Sequence, residues 1–168
     1  STDGGKTWSA PVVLQDPFIV GEGGLGHGIE LQTGPHRGRF VLPYAQASQS
    51  RDRYAAHALA VYSDNHGANW TAGALLPDYS GEASLTELQN GSVLISFRME
   101  GERMPRDPQV RGFARSDDGG ESWAKVWYLD KSIIDAPSMQ AIDRSTKTGI
   151  LYFGHPGGTD GDRDNYTI

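Results

Sequence analysis

The chain has 168 residues, 22 of them Gly and 9 Pro, with a formal net charge of −6 and no cysteine. That length suits one domain of ordinary size, and the negative balance argues against a polyanionic partner such as DNA. No run approaches the roughly 18 apolar residues of a membrane span, and without cysteine neither a disulfide nor a thiolate zinc site is possible. An anionic ligand would therefore need a local cluster of Arg.

The chain opens on Ser1-Thr-Asp-Gly-Gly-Lys-Thr-Trp8, which carries no basic-then-apolar leader pattern. A leader could precede it, because the first residue already lies inside a motif. The motif returns as Ser63-Asp-Asn-His-Gly-Ala-Asn-Trp70 and as Ser116-Asp-Asp-Gly-Gly-Glu-Ser-Trp123. Ser, Gly and Trp hold positions one, five and eight in all three, and Asp3, Asn65 and Asp118 hold position three. This is tight-turn chemistry. An Asp or Asn side chain accepts from backbone N–H groups two residues on, Gly permits positive φ, and Trp folds back to bury its ring. The boxes read as structural, not chemical.

Between the boxes stand strand pairs. The runs Gly38-Arg-Phe-Val-Leu-Pro-Tyr44, Gly91-Ser-Val-Leu-Ile-Ser-Phe97 and Gly149-Ile-Leu-Tyr-Phe-Gly-His155 each put a Gly before a β-rich stretch. Short strand-like runs precede them at residues 28–32, 83–88 and 139–143. No amphipathic helix with caps is evident. Box and hairpin alternating three times predict an all-β chain, about three four-stranded antiparallel blades of a partial β-propeller.

The middle hairpin, residues 81–98, carries the most information. Asn90-Gly91 signals its turn. A three-residue loop over 89–91 puts Gly91 in the left-handed position of a turn with a bulge. Leu88 then faces Ser92, and Glu82 falls opposite Arg98 at the open end. Directly opposed side chains stand roughly 5 Å apart at Cβ. A two-residue loop would shift the pairing by one and put Glu82 and Arg98 on opposite faces. A further alternative is a surface ion pair worth under about 1 kcal/mol.

The box unit resembles the Asp box of the exo-α-sialidases, and three segments narrow the resemblance. Gly26-His-Gly-Ile-Glu-Leu-Gln-Thr-Gly-Pro-His-Arg-Gly-Arg-Phe-Val-Leu-Pro-Tyr44 resembles that family's glycine-rich strand and the strand after it, as in secreted actinobacterial members. Glu82 through Arg98, 16 positions apart (98−82), resembles the segment with the catalytic Glu and the second Arg of an arginine triad. Asp135-Ala-Pro-Ser-Met-Gln-Ala141 and Leu151-Tyr-Phe-Gly-His-Pro156 resemble the stretch leading to the third triad Arg, matched by Arg163 in Asp162-Arg-Asp-Asn-Tyr-Thr167.

The resemblance implies a six-bladed propeller that removes terminal α-linked sialic acid with retention, using a Tyr nucleophile. Glu82 would draw the proton from that Tyr, Arg98 and Arg163 would clamp the substrate carboxylate, and Gln140 and Tyr44 would line the sugar pocket. It implies no metal or cofactor, a sialylated glycan as substrate, and a secreted or extracellular location. The family's first triad Arg and its acid/base Asp lie upstream of the first Asp box. None of the seven tyrosines occupies the nucleophile's context. Residues 1–168 are therefore expected to be an incomplete sialidase propeller, truncated at both ends and inactive alone.

Other features weigh less. His27, His36, His57, His66 and His155 are scattered without metal spacing, and Asp160-Gly-Asp-Arg-Asp164 lacks the terminal Glu of a calcium loop. Residues 101–111 read as an exposed loop. Asn69-Trp-Thr, Asn90-Gly-Ser and Asn165-Tyr-Thr match the glycosylation triplet, a short pattern that arises by chance. A rival reading is a non-catalytic Asp-box propeller that binds a glycan or protein. Another is a glycosidase for neutral sugars, which would favour paired carboxylates over an Arg cluster.

Overall fold

A computed structural model describes residues 1–11, 21–23, 26–46, 56–99, 111–129, 138–157 and 166–168. These form three antiparallel sheets with no helix among the described residues. The first sheet holds β1 (Gly21–Gly23), β2 (Ile29–Glu30), β3 (Phe40–Gln46), β4 (His57–Ser63) and β5 (Thr71–Ala72). Both β1 and β2 pair with β3, so together they make one interrupted first strand of a four-stranded blade. The second sheet runs in order through β6 (Ser80–Glu87), β7 (Val93–Met99), β8 (Arg111–Ser116) and β9 (Lys125–Tyr128). The third joins β10 (Ala141–Arg144), β11 (Leu151–Pro156) and β12 (Tyr166–Thr167), giving it three strands among the described residues.

The middle blade is packed on both faces. Along β7, Val93, Ile95 and Phe97 point into a core shared with Leu31, Val41, Ala58 and Ala60 of the first sheet. Leu94 turns the other way, towards Phe113 and Ile142, with Phe153 and Trp127 against that second cluster. The two-residue period of a strand thus sends alternate side chains into two inter-blade cores. The blade's inner strand β6 packs on β3 on one side and β10 on the other.

The three hairpin turns fall at one end of the blades. Gly38, Gly91 and Gly149 all have positive φ (90, 86 and 77°). A Cβ on Gly91 would meet Thr33 and Gly34 of the first hairpin, and one on Gly149 would meet Gln89 of the second.

The boxes link third strand to fourth, β4 to β5 and β8 to β9, and share one wiring. Position one accepts from the N–H of position five at 2.8 Å in Ser1–Gly5, Ser63–Gly67 and Ser116–Gly120. The position-three oxygen accepts from the N–H of position seven, at 3.0 Å for Asp3, 2.8 Å for Asn65 and 2.9 Å for Asp118. The bond therefore reaches four residues on, not two as the sequence suggests. The reason is that positions four and five both take positive φ (72 and 85°, 56 and 83°, 69 and 95°), which curls the chain into a longer loop. Trp70 and Trp123 are partly buried, whereas Trp8 is 78% exposed.

Residue 111 also departs from expectation. Arg111 is the first residue of β8 and 1% exposed, not part of an exposed loop.

Candidate active site

The second hairpin builds the site. Ala83 pairs with Phe97 and Glu87 with Val93, and Leu88 N–H donates to Ser92 O at 2.7 Å across the loop. The three-residue loop is therefore the one present. Before Ala83 the register slips, because Ser80 pairs with Met99. Gly81 and Glu82 thus stand opposite the single residue Arg98, a β-bulge, which re-aims the side chain it carries. Arg98 Nη1 donates to Glu82 Oε2 at 3.1 Å, with both side chains about three-quarters covered (22% and 24% exposed).

Arg98 pairs across the next ladder with Arg111. Arg111 donates through Nη2 to Ser138 O at 2.7 Å, which ties the second blade to the segment leading into β10. The Glu82–Arg98 pair and the ladder partner Arg111 thus stand at the open end of the hairpin.

Gln140, just before β10, is 3% exposed. Its Nε2 donates to Ser96 Oγ at 2.9 Å and to Ser96 O at 3.2 Å. Its Oε1 is buried without a hydrogen-bond partner among the described residues. Tyr44 sits near the end of β3, paired with Leu59 and Gly23 and partly buried. The end of β3 lies away from the hairpin turns, as do Glu82 and Arg98. Arg163 lies outside the described residues, so its place relative to Arg98 is not described. Among the described residues, no group of three or more His, Asp or Glu is arranged to hold a metal ion.

The opposite, box-bearing end is polar but internally matched. Arg39, 5% exposed, grips Asp64 through Nε and Nη2 at 2.7 and 2.8 Å. It also reaches Glu121 at 2.9 Å and the carbonyl of Asp118 at 3.1 Å, and its guanidinium lies 4.2 Å from the Tyr62 ring centre. Burial opposes its charge, yet the hydrogen bonds to Asp64 and Glu121 raise its pKa above the usual value. The bond from Arg39 holds the Asp64 carboxyl below its usual range. In the next blade Ser92 takes the same place and donates to Asp117 at 2.6 Å. Both pairs join the residue after a hairpin Gly to position two of the following box.

A family model described as a BNR repeat-like domain matches residues 1–151. The chain belongs to the BNR repeat-like family. Among BNR relatives, a sialidase of Micromonospora viridifaciens is 34% identical over 152 residues, which span 86% of this chain and 22% of that protein. Human sialidase-4 is 32% identical over 164 residues, 82% of this chain and 32% of its own length. The chain therefore spans about a fifth to a third of these relatives. The intramolecular trans-sialidase of Ruminococcus gnavus, solved with oseltamivir carboxylate, superposes with a TM-score of 0.73 at 22% identity, covering 99% of this chain and 37% of that one. A Hadza microbial sialidase gives the same TM-score and identity over 95% of this BNR chain and 31% of its own. These likenesses fix the fold as part of a sialidase-type β-propeller.

The sequence singles out Glu82 and Arg98, which the hairpin brings into contact, but not the neighbouring Arg111. Its one signal was the place of Arg111 directly before the alternating Gly-Phe-Ala-Arg-Ser of β8.

Proposed function

We propose that this chain forms part of the active site of an exo-α-sialidase, a retaining hydrolase that releases terminal α-linked sialic acid from glycans. The observation that carries the reading is the Glu82–Arg98 pair, 3.1 Å apart on a bulged hairpin and still partly open to solvent. A propeller scaffold has no need of a partly open carboxylate paired with an Arg at that point.

In this reading Glu82 is the base acting on a Tyr nucleophile supplied by residues beyond these 168. A phenol of pKa near 10 is a poor nucleophile at neutral pH and needs such a partner. Arg98 and Arg163 clamp the sugar carboxylate, for which a planar, permanently charged guanidinium offers paired donors. Gln140 and Tyr44 border the pocket. Residues 1–168 then make up an incomplete catalytic propeller of a secreted enzyme that uses no cofactor.

The test is hydrolysis of a fluorogenic α-sialoside by the complete protein and by the 168-residue chain. The complete protein is expected to turn it over, and the chain alone is not. Arg98→Ala in the complete protein should raise KM by about ten- to hundredfold, the worth of a charged hydrogen bond of roughly 1.5–3 kcal/mol. Turnover by the chain alone, or an unchanged KM in Arg98→Ala, would refute these roles. Sialoglycan binding without hydrolysis would favour the non-catalytic module.

A further inference from the structure

The bulge that carries Glu82 is anchored from behind. A four-residue turn leads into β6, closed by Ser80 N–H to Pro77 O at 3.3 Å. Its third residue, Tyr79, has φ of 67°, the place where a type II turn takes Gly or Asn. A bulky residue there is an outlier that persists only where its surroundings over-determine it.

The surroundings do so. Ser80 is fully buried, its hydroxyl donates to Pro77 O at 2.6 Å, and it accepts from Ala58 N–H of β4 at 2.7 Å. Leu76 N–H donates to Ala58 O at 2.8 Å. His57 Nδ1 lies 3.2 Å from Leu76 O and 3.6 Å from Asp78. The first blade therefore holds the turn at three points, and Glu82 lies two residues beyond the last of them. On its other side the regular ladder begins at Ala83.

We propose that Ser80, with the strained Tyr79 turn, is a positioning residue that sets the Glu82 carboxylate against Arg98. This rests on the reading of Glu82 and Arg98 as site residues. The hydroxyl fixes one end of the bulge and the ladder fixes the other, so Glu82 has little backbone freedom left.

The experiment is carried out on the complete protein. Ser80→Ala should lower kcat for a fluorogenic sialoside by about ten- to hundredfold with KM nearly unchanged, the scale of a small misplacement of a reacting group. Tyr79→Gly, which accepts positive φ freely, should keep or raise Tm while kcat falls. Crystal structures of both variants should show the Glu82–Arg98 contact longer than 3.1 Å. Full kcat in Tyr79→Gly, or an unmoved Glu82–Arg98 contact in Ser80→Ala, would overturn the proposal. Glu82→Gln and Arg98→Ala run alongside. If neither alters turnover, the site reading fails, while the measured Glu82–Arg98 separation still decides the positioning role.

Discussion

Arg39 and Arg98 show how one side chain serves two ends of the same blades. Arg98 has one described carboxylate partner and stays partly open, whereas Arg39 has two carboxylates, box carbonyls and an aromatic face, and is sealed. The first pair stays partly open to solvent at the end of the hairpin; the second fastens one blade to the next box. Replacing Arg39 by Met keeps part of its apolar stem contact and removes the charged hydrogen bonds. We expect a loss of about 2–3 kcal/mol in chemical denaturation of the complete protein, with sialoside KM unchanged. The approach of Glu82 to Arg98 was legible because a hairpin loop fixes register, and register fixes which side chains oppose each other. The bulge was not, since it arises where β6 must meet a turn held by β4, a contact between residues far apart in sequence.

Each box is a small unit that closes its own turn, and its acid is tuned by that closure. The hydroxyl and N–H of Thr7 and the Ser1 hydroxyl hold the Asp3 carboxyl down at about 2. For Asp118, burial pushes the pKa up, but hydrogen bonds from Ser116 and Ser122 outweigh it and the net shift is downward. A carboxyl whose folded pKa is lowered adds stability above its unfolded pKa, near 3.9, and that stability is lost as pH falls through the folded value. Asp118→Asn should therefore flatten the acid limb of a stability-against-pH curve below about pH 4, with the fold retained, because Asn65 already fills position three in the second box. An acid limb as steep as the parent's would contradict this. The hairpin turns are equally local. Gly91→Ala would impose a side chain at φ of 86° and bring its Cβ within 3.1 Å of Thr33 Oγ1. We expect a cost of more than about 1 kcal/mol by thermal denaturation. These units were readable because their chemistry is short-range. The longer reach of the position-three oxygen was not, as it depends on two successive positive φ values, one of them at His66.

Across the whole molecule the blades are joined by recurrent polar seams beside their apolar cores. Glu87 accepts from Gln32 N–H and Thr33 N–H at 2.8 Å on one side, and its carbonyl accepts from Arg144 Nε at 2.6 Å on the other. Such residues look like ordinary solvated charges in the sequence, and only the stacking of sheets gives them partners. The repeat of box and hairpin made the propeller legible, because each unit has one hydrophobic strand pattern and one turn. Arg163, matched by resemblance alone, lies outside the described residues. The most direct measurement is a crystal structure of the complete protein with a sialic acid analogue bound. The account predicts the sugar carboxylate within hydrogen-bond distance of both Arg98 and Arg163, and the Glu82 carboxylate beside a tyrosine hydroxyl at the anomeric carbon. A sugar bound away from the open end of the second hairpin, with its carboxylate out of reach of Arg98, would contradict it.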